Sequence, residues 1–489
     1  MLIILLGMFT FILWFVVRTS GLIEPRRARH ILIQGWTVLI VLYFVAWMVT
    51  KPQPLPKTLL VPPFATQMSE PWIGEALSDQ LGQHLAYSSF GVLQLPWDVC
   101  PQIKQGIPSD SMWMIIKKLQ PTFAVWGMVR GQPDSLWVES DYARTKWGRT
   151  VRFSAHKRRY SSINEAANEI AELARNAALI RKREHGHEIV NVHPVPALRK
   201  YYLAKEQLAS DNPRVALELA RQAIAVDSSW SNAWALVGIA EGQIDDSSSD
   251  PMVAFHKAVL LDSTDLFAWQ QLARFAILAH HWSLADSSLR KAYRLQRRNP
   301  VTLYLISHLR KDRAVSICNM TPQQAAELAL AVHPGYLNAR LMVAQNYYDI
   351  GDLGDCRTIT RKGIDLYPNS WELWHMLSSL DIRQGKLQDA LSEIKRSIKL
   401  SANNPDVLYN AGLVYFYLDS LRQAESFLQR SVRVKASSDA YYMLGQCAER
   451  QGDSTQATSY YRESVEAVSG KDDRSAQEAA KKIDNSVQR

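Results

Sequence analysis

A pattern of small and aromatic residues that recurs with a period near 34 constrains the fold of this chain more than any other feature. It begins at Pro196, and its clearest copy is 337–370. There Ala344, Tyr347 and Cys356 stand at offsets that other copies repeat. One helix pair of this length cannot bury its apolar face alone, so neighbouring pairs must stack into one core. The sequence predicts an all-α superhelix over 196–470, with about eight units of which 301–336 is degenerate.

The later copies keep the same offsets. Their small and aromatic residues are Trp374, Leu377, Ser378, Ala390 and Ser397, then Ala411, Gly412, Tyr415, Ala424 and Ser431, then Tyr441, Leu444, Gly445, Ala457, Tyr461 and Ser464. This recurrence resembles the tetratricopeptide repeat (TPR). The resemblance implies a curved array in which the first helix of each pair lines a concave surface. The polar segment 471–489 is expected to be a capping helix.

The resemblance also implies which side chains of the last four units line the concave surface. They are Gln345, Tyr348, His375, Arg383, Tyr409, Phe416, Tyr417, Tyr442 and Arg450. Exposed aromatic rings beside polar groups suit the capture of a peptide or a partner helix. The alternative is that several of these side chains pack between repeats. We therefore expect a partner-binding groove for a protein here.

The segment 58–182 alternates short apolar runs with amphipathic periodicity. The predicted elements are strands at 58–64, 90–95, 122–130, 135–141 and 150–155, and helices at 72–85, 109–119 and 163–181. Their order resembles the TolB-like amino-terminal α/β module, on the strand ending in Pro63 and Phe64, the helix around 74–77 and the run 123–129. The resemblance implies a binding or sensory module without catalytic residues, joined to the repeats by a linker at 183–195.

Two apolar runs, about 2–17 and 31–49, precede this module; the second is long enough to cross a bilayer and the first only just. The loop between them holds four Arg, whereas the linker that continues to residue 57 holds two Lys. The positive-inside rule then predicts a transmembrane hairpin over 1–57 whose loop is cytoplasmic. In a bacterium this puts the bulk of the chain in the periplasm, on the inner membrane. The alternatives are one span with an interfacial helix, and a reversed topology with the bulk in the cytoplasm.

The net charge of +9 does not describe a basic surface. Residues 1–57 hold six Lys or Arg against Glu24, so much of the excess lies around the apolar runs. Nucleic-acid binding is therefore excluded as the default interpretation. A further basic run, 144–159, is expected to be a solvated hairpin face, with a lipid-binding patch as the alternative. The four cysteines form no CxxC motif, and Cys356 is expected to pack between helices.

No nucleotide-binding or catalytic motif stands in a supporting context. The sequence therefore predicts no enzyme, no cofactor, no metal site and no small-molecule substrate. The favoured function is a membrane-anchored protein-protein interaction scaffold or assembly factor that binds its partner through the TPR groove. The alternative is a sensory or regulatory membrane protein that acts through a partner. It would be similar to the sensory half of ToxR/CadC-type regulators without their DNA-binding domain.

Overall fold

The structure, a computed structural model, describes residues 58–66, 70, 72–86, 91–94, 109–119, 121–146, 149–178, 193–244, 250–467 and 473–487. All of them belong to one compact unit, Pro56–Arg489. The predicted membrane spans, 2–17 and 31–49, lie outside the described residues. Among the described helices, none is both long and apolar enough to cross a membrane.

The amino-terminal part of this unit contains one mixed sheet and three helices. The strands are β1 Thr58–Val61, β2 Ala65–Thr66, β3 Gly91–Gln94, β4 Phe123–Gln132, β5 Ser135–Lys146 and β6 Arg149–Tyr160. The helices are α1 Trp72–Ala86, α2 Ser109–Leu119 and α3 Ile163–Ala178. The strand order is β3-β1-β4-β5-β6, with β2 beside β4; β1 is parallel to β3 and β4, whereas β4, β5 and β6 run antiparallel.

Each strand and helix predicted in this segment is present, with shifted ends. The last two strands are longer than their periodicity suggested, because they pair with each other from Leu136 opposite Tyr160 to Lys146 opposite Arg149. Backbone pairing along this ladder continues where the apolar alternation has ended. The small α/β fold is thus confirmed at the level of its elements.

Helices cover both faces of the sheet. On one face α1 buries Ile73 and Leu77 against strand residues such as Val125. Helix α1 comes close to the chain after β1, since a Cβ on Gly74 would lie 2.0 Å from the carbonyl oxygen of Phe64. On the other face α2 lies over β4, and the ring of Trp113 stacks on that of Trp126 with centroids 6.1 Å apart. The sheet therefore has two apolar faces and two separate cores.

From residue 195 the described chain is an array of helices. They are α4 Val195–Ala209, α5 Pro213–Val226, α6 Ser231–Gln243, α7 Pro251–Leu261, α8 Leu266–Leu278, α9 Trp282–Leu295, α10 Pro300–Ile306, α11 Lys311–Cys318, α12 Pro322–Val332, α13 Leu337–Ile350, α14 Leu353–Leu366, α15 Trp371–Arg383, α16 Leu387–Leu400, α17 Pro405–Tyr417, α18 Leu421–Val434, α19 Ser438–Gln451, α20 Ser454–Glu466 and α21 Arg474–Val487. In the described part, helices α4–α20 form seven pairs and one irregular unit, and α21 packs on α20 as the predicted cap.

The irregular unit is the one that the sequence marks as degenerate. Its helices α10 and α12 pack together, with the short helix α11 inserted between them. Helix α11 ends at Asn319, whose φ of 58° is left-handed, and α12 starts at Thr321 with a reciprocal capping box to Gln324. These helix-end signals split the irregular unit into three helices, whereas each other unit has two.

The α/β module contacts the array at two distant places. At the first, the ring of Trp72 in α1 stacks on Tyr202 in α4, and Lys205 binds Glu75 and Asp79 with Nζ–O distances of 2.5 and 3.3 Å. At the second, Leu119 at the end of α2 lies against the loop before α13, where a Cβ on Gly335 would lie 2.9 Å from it. The module therefore packs against the first repeat and also against the start of the fifth unit, at α13.

Candidate functional site: the groove of the last four units

Neighbouring first helices of the last four units are joined by arginines that lie over aromatic rings. The guanidinium carbon of Arg383 in α15 lies 4.8 Å from the ring centroid of Tyr348 in α13, and its Nη1 donates to the Tyr348 carbonyl oxygen at 2.5 Å. In the same way, Arg450 in α19 lies 4.0 Å from the ring centroid of Phe416 in α17, the first helix of the preceding unit. Such cation–π contacts stabilise a defined arrangement of aromatic and cationic side chains. The structure thus brings four of the nine predicted groove residues together in two pairs.

The aromatic residues of the groove differ in exposure. The side chain of Tyr417 is 52% exposed, and its ring lies edge-on to that of Phe416 at 5.7 Å. Phe416 itself is only 4% exposed. The prediction of an exposed aromatic residue is therefore wrong for Phe416, because Arg450 covers its ring and the apolar residues around Leu444 pack against it. Tyr417 is the aromatic side chain available for contact at this point.

His375 takes part in the groove as a neutral polar group. Its Nε2 lies 2.7 Å from the amide nitrogen of Asn410, which also donates to the hydroxyl of Ser379 at 2.6 Å. Because that amide nitrogen can only donate, the Nε2 of His375 accepts and the ring is uncharged. Burial lowers the pKa of His375, in agreement with this assignment. The sequence did not point to Asn410, which comes from the next unit.

The remaining predicted groove residues differ in how exposed their side chains are to solvent. Gln345 is exposed, and its amide nitrogen donates to Asp349 at 2.7 Å. Tyr409 and Tyr442 are half-buried. Burial raises the pKa of Tyr409, and the Tyr442 hydroxyl accepts from Gln446 at 3.0 Å. These two tyrosines mainly support the surface.

The predicted groove residues therefore include two exposed arginines, an exposed phenol ring and amide groups, all on helices. These are the residue types found at the centres of protein–protein contacts. Within the described residues, no group of three or more His, Cys, Asp or Glu could hold a metal ion. The described cysteines Cys318, Cys356 and Cys447 are buried and unpaired with one another. The arrangement is suited to binding a polypeptide surface.

Residues 409–472 match the sequence profile of the tetratricopeptide repeat family. This segment carries tetratricopeptide repeats. Two solved structures are similar to it: the crystal structure of MamA, with a TM-score of 0.28 and 22% identity over 35% of this chain and 95% of that chain, and the crystal structure of the APC/C hetero-tetramer Cut9–Hcn1, with a TM-score of 0.47 and 11% identity over 65% of this chain and 64% of that chain. No curated protein sequence matches this chain.

Proposed function

We propose that this TPR protein is a membrane-anchored scaffold that holds a partner protein in the groove of its last four units. The observation that carries the proposal is the arginine-over-aromatic stacking of Arg383 and Arg450, beside the exposed ring of Tyr417. Each arginine is fixed by its neighbour before any partner binds. Such preorganisation reduces the entropy that binding would otherwise cost.

The position of the α/β module supports the choice of these units. It packs against α4 through Tyr202 and Lys205 and against the loop at Gly335. The surfaces around those contacts are occupied by the chain itself. A partner is accordingly expected away from those contacts, at exposed side chains of the later units such as Tyr417 and Arg450.

Membrane anchoring belongs to the proposal through the apolar runs 2–17 and 31–49. The alternative function, a sensor related to ToxR/CadC-type regulators that signals through a partner, is favoured by the shared core of the module and the first repeats. Trp72 of α1 and Tyr202 of α4 belong to one continuous apolar cluster, which could transmit a change in the module to the array. A β-lactamase fusion after Pro54 tests the anchored topology, because lactamase activity requires a periplasmic fusion point.

Co-purification of the full chain tests the groove directly. We expect a partner retained by the wild type to be lost from the double variant Tyr417→Ser/Arg383→Ser, since both side chains are exposed in the groove. The matched control is Leu260→Ser/Val253→Ser on α7, where the replaced side chains are 80% and 68% exposed. Both variants should unfold at the wild-type temperature.

The two double variants separate the outcomes. Loss of the partner from the groove variant, with retention by the α7 variant, supports the proposal. Retention by the groove variant, or equal loss from both, contradicts it. Regulators of the ToxR/CadC kind would instead require partner binding that depends on a signal to the α/β module.

A further inference from the structure

The contact between the two helices of the unit 371–400 differs chemically from the same contact in the next unit. In that next unit, the ring of Tyr415 in α17 stacks on Phe427 in α18, with centroids 5.4 Å apart and planes 6° apart. The matching residues, each 34 positions earlier, are Asp381 in α15 and Glu393 in α16. The two carboxyl groups lie near enough for Asp381 to act on the protonation of Glu393. A carboxyl pair thus replaces an aromatic stack inside the array.

Both carboxyl groups are removed from solvent. Asp381 is 1% exposed and Glu393 is 8% exposed. The second carboxyl oxygen of Glu393, Oε2, is buried and has no hydrogen-bond partner among the residues that the structure describes. Two carboxyl groups that interact at a buried position cannot both be ionised at low cost, so one of them keeps its proton.

The surrounding charges show which group carries that proton. Arg357 of α14 donates to Asp381 through both terminal nitrogens, with an Nη1–Oδ2 distance of 3.3 Å, and its Nη2 also donates to Gln384 at 2.8 Å. Glu393 is therefore the member of the pair that holds the proton. Three charged groups act on Glu393: Asp381 from α15, Arg357 from α14 and Asp389 from its own helix. Burial and the neighbouring Asp381 raise the pKa of Glu393 to about 8.

We propose that Asp381 and Glu393 form a proton-controlled hinge where helices α14, α15 and α16 meet. With the proton in place only one of the two carboxyl groups is charged and the junction is closed. When the proton leaves, two buried carboxylates face one arginine, and the junction opens so that water can reach Glu393. Since α15 also carries His375 and Arg383, opening would change the shape of the groove. The inference concerns the response of the array to pH and does not depend on the identity of a partner.

The direction of the pH effect follows from proton linkage. Glu393 titrates near 8 in the closed junction and at its ordinary value of 4.5 once it is exposed to water. Between these values the closed state holds a proton that the open state lacks, so rising pH favours opening. The opening constant should rise by up to about tenfold per pH unit in this range and become level above pH 8.

Hydrogen–deuterium exchange of the full chain between pH 6 and 9 tests the hinge. After division by the intrinsic exchange rate, protection of amides in α15 and α16 should fall by up to about tenfold per pH unit below pH 8. In Glu393→Gln and in Glu393→Met, which cannot ionise, protection should not change with pH. Glu466→Gln, at an exposed position in α20, is the matched control and should keep the wild-type pH profile.

Two results would overturn the hinge. One is pH-independent protection of α15 and α16 in the wild type. The other is a wild-type pH slope in a Glu393 variant that folds, which would assign the titration to another group. The apolar Met variant keeps the test decisive where the Gln variant fails to fold, because it needs no hydrogen-bond partner.

Discussion

Single residues set how closely the helices of this array approach one another. Gly412 lies where α17 meets α18, and a Cβ there would lie 2.5 Å from Cγ of the buried Leu428. The repeat pattern had already placed a small residue at this position. Phe416 shows the limit of such pattern reasoning, because its burial depends on Arg450, which lies one unit further along the chain. A local sequence window contains no signal for that contact.

Replacing Gly412 by Val should destabilise the repeat by about 1–3 kcal/mol, because the added atoms must push α18 away from α17. The matched control is Gln423→Val, at an exposed position on α18, which should change stability by less than about 0.5 kcal/mol. Urea unfolding of the full chain measures the difference. Equal stability of the two variants would mean that the close approach at Gly412 is not needed.

At the scale of elements, the sequence identified helices and strands well and their long-range partners poorly. Each helix in 72–86, 109–119 and 163–178 was expected from the sequence. The packing of Leu119 on the loop at Gly335 was not expected, since more than 200 residues separate the two positions. Nothing in the sequence distinguishes Lys205 from other lysines in predicted helices. Only the fold places it beside two carboxylates of α1.

Lys205→Met should separate α1 from α4. Its ammonium group binds Glu75, whose side chain is 8% exposed, so the substitution breaks a buried ion pair and costs about 3–5 kcal/mol. Arg199→Met on the same helix removes an ion pair to Glu70 in which the arginine side chain is 56% exposed, and should cost at most about 1 kcal/mol.

Faster hydrogen exchange in α1 and α4 of the Lys205 variant, with wild-type exchange in the Arg199 variant, is the expected result. If the two variants exchange alike, the buried ion pair does not hold the module on the array.

At the scale of the whole molecule, the repeat period predicted the architecture because every unit must bury its face against the next. It also predicted a partner-binding groove; among its residues Arg383 and Arg450 lie over aromatic rings and Tyr417 is exposed, while partner binding stays a prediction. The pairing of Asp381 with Glu393 departs from the aromatic residues at matching positions, a departure that periodicity alone does not interpret. Which protein binds depends on the surface of the partner as well as on the surface of this chain.

The central claim is that a partner protein lies in the groove and not on the outer helices. Site-specific photo-crosslinking in cells tests it most directly, with benzoylphenylalanine in place of Tyr417 in the groove or of Leu260 on α7, both exposed positions. The account predicts a covalent adduct with one partner from position 417 and none from position 260. An adduct from position 260 together with none from position 417 would contradict it.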